Sequence, residues 1–598
     1  MALPGLSFEI VRSSGPLLGI RADRTALIAL TERGPEETPT LVHSHDQFGE
    51  VFGCPVDGML GPLAAKDYYA NGGEELLVTR FLPLEAAAAT GTLSVVGASA
   101  PGVVIQVRAR DRGAFGNRIE VSAMLSVRKR GKGEADSATS VKFAGVLDPV
   151  FLTSDEKLPA RLLSQGVEHW TRLLTITGAV PGDQIATFAT GSLTAGDPVV
   201  VELFEPVFTL RIREPARADV FVPGLDLRDL DAAEQLLAPT VVRLEWTETT
   251  FTELPDPDVR IRLAGGDDGM DATNSAAELR RSFERALAAL ELSELPDIVI
   301  APDLWSRTFR SKGVVRLAFG AATAVDLADQ LVLSAARTQD RVVLVDPPLG
   351  GPDELRPFGV GELEAWRATR EASLGAARDF AATYTPWSRI VAGPVFKGDD
   401  TLLVPPSAQV AGQMALTSRT RGPWIATGNV ALENAVALDQ TLSEPAQERL
   451  QDVGINPLRM SLPRGATIQG VRSLSWPDRK PWRFLSTRRL FNFLRRALRP
   501  IGLSYVFEPN APQTWIQLRR DIERLLRDLF ANGALAGSRP QDAFFVKVDD
   551  ALNPEPAREN GVLTAQIGVA PAFPLEFLHV RLIVAGGIAT VAEEPITP

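Results

Sequence analysis

The feature that most restricts the fold is a rhythm that stops and later resumes. Between residues 20 and 82 short apolar strands alternate with helices. A strand at Thr25–Leu30 is followed by Thr40–Ser44, which leads into a short helix that Asp46 can cap. A helix over Leu60–Asn71 is then stopped by Asn71-Gly72-Gly73, before a strand at Glu75–Arg80. Such alternation predicts an α/β unit. The rhythm returns after Leu263. A helix capped at Asn274 or Ser275 runs through Leu290, with Leu279, Phe283, Leu287 and Leu290 on one face. Strands at Asp297–Ala301, Arg341–Asp346 and near Arg389–Ala392 then alternate with helices at Ala321–Thr338 and Leu363–Ala382. Strands rich in Val and Ile joined by helices predict a mainly parallel sheet with both faces covered.

The interruption has a different texture. Pro83–Ala100 is Ala-rich without helical periodicity and reads as a linker. Strands follow at short intervals: Val103–Arg108, Arg118–Val127, Val141–Val146, Val199–Phe204 and Val207–Ile212. The run Arg128-Lys129-Arg130-Gly131-Lys132-Gly133 reads as a solvated hairpin tip. A β-rich insertion over residues 91–259 is the expectation, splitting a middle α/β domain into 21–90 and 260–470.

Charge singles out a later stretch. The chain carries −12 overall, yet Trp476–Leu535 holds twelve Lys/Arg against five Asp/Glu, which leaves about −19 for the rest. Two amphipathic helices are predicted there, separated by a hinge at Phe507-Glu508-Pro509-Asn510 and ended at Asn532-Gly533. In the second, Trp515, Leu518, Ile522, Leu525, Leu526 and Leu529 form one stripe, and Arg519, Arg520 and Arg527 take other faces. Arg488, Arg489, Arg495 and Arg496 do the same in the first. A basic island in an acidic chain asks for a partner. Downstream, Leu578, Val580, Leu582 and Val584 alternate with His579, Arg581 and Ile583, the two-residue period of a strand; Phe8 and Ile10 mark a weaker one.

Catalytic chemistry finds little support. The four histidines include no His-x-x-x-His pair, and neither Gly-x-Ser-x-Gly nor a phosphate-binding Gly-x-x-x-x-Gly-Lys motif occurs. Gly265-Gly266-Asp267-Asp268-Gly269 fits neither a dinucleotide loop nor a calcium loop and reads as a tight turn. Asp346 ends a strand with no partner base, and Ser407 lacks a nucleophile elbow. Cys54 is the single cysteine, which excludes internal disulfides; it reads as a buried small apolar residue and points to folding in a reducing cytoplasm. No run of 18 uncharged apolar residues predicts a membrane span, and no secretory signal opens the sequence. No cofactor and no metal site is expected.

From Leu402 an ordered series of motifs appears: Val404-Pro405-Pro406-Ser407, Arg421-Gly422-Pro423-Trp424, Gly454-Ile455-Asn456-Pro457, Gly470-Val471-Arg472-Ser473, Phe507-Glu508-Pro509-Asn510, Thr514-Trp515, Asn532-Gly533-Ala534-Leu535, Ala543–Lys547 and Ile567–Pro571. Gly113–Asn117, Gly265–Gly269 and Tyr384-Thr385-Pro386-Trp387 add weaker matches. The series resembles the contractile tail sheath family of phage tails and injection systems, over residues 1–110 and 260–585. Departures are small: Ile425-Ala426-Thr427-Gly428 replaces a Lys-Ala-Pro-like run.

The resemblance implies a mixed α/β (α+β) multidomain subunit. It would have an N-terminal arm (1–20), the middle domain, the outward insertion, an inner domain (471–575) and a C-terminal arm strand (576–598). It also implies stacked hexameric rings around an inner tube, without an enzymatic role, in a particle assembled from cytoplasmic protein. The implied partners are further copies of the chain, the tube protein, and baseplate and terminator proteins, with no nucleic acid and no membrane insertion. Arg488, Arg489, Arg495, Arg496, Arg519, Arg520 and Arg527 become candidate tube contacts. Phe8, Ile10, Leu578, Val580, Leu582 and Val584 become candidate intersubunit strand residues. Another tail or baseplate component, or an α/β enzyme with a β-rich insertion, remains the alternative.

Overall fold

The computed structural model describes residues 21–96, 104–143, 158–177, 184–215, 217–226, 229–245, 254–257, 259–270, 275–309, 315–350, 356–391, 401–479, 482–559, 563–574, 579–585 and 588–594. The chain divides into two compact units, one from residues 1–83 and 273–598, the other from residues 84–272.

The first unit is built on an eight-stranded sheet. Its strand order is Thr40–Val42, Leu76–Arg80, Thr25–Ala29, Ile298–Ile300, Val342–Val345, Ala381–Thr385, Asn456–Ser461 and Gly465–Ile468. The six strands from Leu76–Arg80 to Asn456–Ser461 run parallel, and the two outermost are antiparallel. Parallel neighbours need long crossovers, here helices such as Ser275–Glu291, Ala321–Thr338 and Val360–Leu374. With both faces covered, the strands read as near-continuous apolar runs, as TALIA after its first residue, IVI and VVLV do. The fold is mixed α/β.

Local details differ from the sequence reading where a short-range choice decided. Ser44, not Asp46, caps the helix His45–Phe52, because its hydroxyl reaches the Gln47 N–H at 3.0 Å; Asp46 lies in the first turn. The helix expected over Leu363–Ala382 ends at Leu374, where Gly375 takes φ +50° and a 3-10 turn hands over to strand Ala381–Thr385. Cys54 is exposed rather than buried.

The second unit contains a closed antiparallel barrel. Glu120–Ser137 pairs with Ser140–Phe143, which pairs with Gln184–Phe188, then Val167–Thr177, Pro159–Ser164 and Pro198–Arg213. Pro198–Arg213 pairs back onto Glu120–Ser137. Closure removes the unpaired edges that invite aggregation. Its interior is filled by Ala135, Val141, Phe143, Leu162, Phe188 and Val201, among others. A four-stranded sheet that includes Thr90–Val96 and Val104–Ala109 supplies residues to a second core in this unit.

Three expectations are corrected here. The supposed linker contains the strand Thr90–Val96, with Leu93 buried. The supposed hairpin tip Arg128–Gly133 lies inside the 18-residue strand Glu120–Ser137, opposite Val199–Leu203. Carboxylates nearby make a basic run tolerable there: Arg130 meets Glu202 at 3.2 Å and Arg128 meets Glu205 at 3.7 Å. The strands expected at Val199–Phe204 and Val207–Ile212 are one strand, Pro198–Arg213, with register shifts between Leu203 and Phe208.

Candidate assembly surface on the helical hairpin

The helices Leu485–Leu503 and Pro512–Ala531 bury a shared seam of Leu490, Phe493, Leu494, Leu518, Ile522, Leu525, Leu526 and Leu529. The turn between them is pinned rather than hinge-like. Trp515 donates its indole N–H to Asn510 Oδ1 at 2.7 Å, and the Thr514 hydroxyl donates to the Pro509 carbonyl at 2.7 Å. The Thr514-Trp515 and Phe507–Asn510 motifs are thus two halves of one turn. At the other end, the Trp424 indole donates to the Asn532 carbonyl at 3.2 Å and its ring packs on Phe493 at 5.7 Å. Antiparallel strands Phe544–Lys547 and Gln566–Val569 lay Phe544, Val546, Ile567 and Val569 against the same core.

The arginines of the first helix do not form a solvated face, which corrects the sequence reading. The Arg489 side chain is 1% exposed and Asp297 is wholly buried; Arg489 Nε donates to Asp297 at 2.9 Å, while Nη2 donates to the Ala22 carbonyl and the Ser418 hydroxyl. Arg496 donates to the other Asp297 oxygen at 3.0 Å and to the carbonyls of Arg21, Pro296 and Asp340. These partners immediately precede the parallel strands, so the helix is riveted across the sheet's N-terminal end. Arg488 lies half-buried between the rings of Phe380 (4.4 Å) and Trp482 (4.3 Å), and burial pushes its guanidinium down to about 10. Of the four, Arg495 is exposed, and it donates to Gln339.

The second helix keeps its basic residues outside. Arg519 and Arg527 flank Glu523 at 3.3 and 2.8 Å, at the i,i+4 spacing, and Arg520 is exposed. Arg524 shares the outward side and meets Asp521 at 3.6 Å; the sequence reading passed over it, although its spacing from Arg520 could have found it. Phe8, Ile10 and Leu578 lie outside the described residues. Val580, Leu582 and Val584 fall in the strand His579–Ala585, which pairs antiparallel with Ile588–Glu594.

The remaining motifs resolve into architecture. Asn456 donates to the carbonyls of Thr383 (3.1 Å) and Arg472 (2.8 Å) and accepts from the Arg472 N–H (2.7 Å). Gly470 sits so close that a Cβ would lie 2.5 Å from Asn456 Oδ1. In the second unit, Asn117 and Gly266 exchange hydrogen bonds of 2.7 and 2.8 Å, and Asp268 accepts from the Ala114 N–H, so two weak motifs are one knot. Asp346 is buried and accepts from the Ser407 N–H (3.1 Å) and hydroxyl (2.7 Å); burial pushes its carboxyl up to about 7. Asp67 is buried likewise, beside Asn434 and Gln409, and is also pushed up to about 7. Among the described residues no cluster of His, Cys, Asp and Glu could hold a metal ion, and no helix is long and apolar enough to cross a membrane.

Residues 478–585, which hold the hairpin and the strands after it, match the phage tail sheath C-terminal domain family. The chain is 24% identical over 266 residues to the tail sheath protein of Vibrio phage KVP40, covering 43% of this chain and 38% of that protein. The match thus spans well under half of that relative's length. Two solved structures share the fold. The sheath tail protein of Listeria innocua is 12% identical at a TM-score of 0.52, over 89% of this chain and 90% of that one. That of Desulfitobacterium hafniense is 12% identical at 0.50, over 91% and 94%. The resemblance to contractile tail sheath proteins read from the motifs holds.

Proposed function

We propose that the chain is the sheath subunit of a contractile tail or injection machine. In this reading it polymerises as stacked hexameric rings around an inner tube and shortens to drive that tube through a target envelope. The carrying observation is the coincidence of the matched region, residues 478–585, with the hairpin riveted to the parallel sheet. The role is mechanical and needs no turnover, since the energy is stored in the subunit arrangement on assembly. Partners are further copies of the chain, a tube protein, and baseplate and terminator proteins, in a particle assembled from protein made in a bacterial cytoplasm. Residues 91–259 form the outward insertion.

Within this proposal, Arg495, Arg519, Arg520 and Arg527 face an acidic tube. Exposed pairs of this kind are worth roughly 0–1 kcal/mol each, weak singly but additive around a ring and releasable on contraction. The terminal strand candidates Phe8, Ile10, Leu578, Val580, Leu582 and Val584 join neighbours by strand addition, which relies on backbone hydrogen bonds and survives rearrangement of side chains. The test is negative-stain microscopy of the chain expressed alone and together with a candidate tube protein. Striated tubes in two lengths are the expected result; monodisperse small particles overturn it. Reversing Arg519, Arg520 and Arg527 to Glu should leave empty sheath tubes and lose tube co-assembly; filled sheaths from that variant overturn the tube-facing role.

A further inference from the structure

The turn joining the hairpin helices ends in an apolar tip. Leu503 is 61% exposed, Val506 51% and Phe507 fully exposed. Phe507 also holds φ +73°, in the left-handed region that residues with a bulky side chain avoid. The bonds from Trp515 and Thr514 over-determine the turn and hold the ring in water. A lone chain gains nothing from this: Asn or Gly would occupy the same backbone at lower cost. Strain held around an exposed aromatic points to a contact made elsewhere.

The other end of the second helix carries a matching feature. A groove of about 800 Å³ is lined by Trp424, Ile425, Val471 and Phe573 together with polar Arg421, Arg472, Asn429, Gln451 and Gln469. Gly533, just past that helix, lines it too. The helix has 20 residues, so roughly 30 Å of rigid rod separates the tip from the groove. The tip of a chain therefore does not reach that chain's own groove.

We propose that the Phe507 tip of one copy seats in the Trp424–Phe573 groove of the next. The exposed ring of Phe573 in the groove offers a face to an aromatic knob. Glu508, beside the tip, and Arg421 both lack an ion-pair partner within 4.0 Å among the described residues, and docking gives them to each other. Tip and groove are different surfaces, so the contact is head-to-tail and propagates into a ring or helix instead of closing as a dimer. The proposal rests on the sheath reading and names which surfaces of successive subunits meet.

The test uses the full chain in a C54S background, which removes the single, exposed cysteine. Chains bearing F507C are mixed with chains bearing A572C, Ala572 lining the groove, and are oxidised mildly after assembly. Covalent dimers from the mixture, absent from either variant alone, are the expected result. Polymers that assemble normally without such dimers overturn the proposal and leave the sheath reading standing; that is the outcome if the tip lies on the tube. Absence of any polymer overturns both. F507N supplies an independent readout: the monomer's Tm should stay or rise while polymer yield falls at least tenfold. An unchanged yield overturns the proposal.

Discussion

Asp297 shows what a single buried carboxylate can organise. Two guanidiniums, from Arg489 and Arg496, neutralise it at the start of a central strand, almost 200 residues away in sequence. Removing one member leaves an uncompensated buried charge, so R489A should cost about 3–5 kcal/mol in urea unfolding, whereas R520A on the exposed face should stay within about 0.5 kcal/mol. Asp346 carries a different signature. Its carboxyl is pushed up to about 7 by burial, well above the roughly 3.9 of an unfolded chain. A carboxyl raised in the folded state contributes stability fully present below about pH 4 and lost as pH rises through about 7. Stability should therefore fall across that window, and D346N, which keeps the neutral shape and can donate to the Ser407 hydroxyl, should flatten part of the slope in denaturation midpoints measured from pH 5 to 8. None of this pairing was legible beforehand. A helical stripe reveals which face is apolar, but an arginine off the stripe looks the same whether it meets water or a buried aspartate.

At the scale of elements, the motifs divide into pairs that meet. Phe507–Asn510 closes with Thr514-Trp515, Gly113–Asn117 with Gly265–Gly269, and Asn456 with Gly470–Arg472. Each joins a glycine or turn to a side chain that saturates its backbone groups. G470A should cost about 1–3 kcal/mol, read as a lower Tm, because the new methyl meets the Asn456 side chain and backbone rather than a flexible tip. Strands and helices of the first unit were legible for a local reason. Continuous apolar runs such as IVI and VVLV fit only strands covered on both faces, and Leu279, Phe283, Leu287 and Leu290 fit only a one-sided helix. The basic strand around Arg128–Lys132 was not, because its partners, Glu202 and Glu205, sit on a strand some 70 residues later.

At the scale of the molecule, two units with separate cores predict two unfolding events. Residues 84–272 expressed alone should give a β-type circular dichroism spectrum and a cooperative melt, since their barrel and second core are closed among themselves. A chain that melts only as a whole, with an unfolded fragment, would count against that division. The sequence by itself determined where most strands and helices of the α/β unit lie, that a β-rich segment interrupts that unit, and that an ordered set of motifs points to a sheath. Those properties are written in windows of a few turns, where periodicity and turn chemistry act. Only the tertiary structure decided that Pro198–Arg213 closes a barrel on Glu120–Ser137 and that the basic helix Leu485–Leu503 turns Arg489 and Arg496 toward the sheet. Register and ion pairing are settled between residues far apart in sequence, by which buried charge and which open edge must be satisfied.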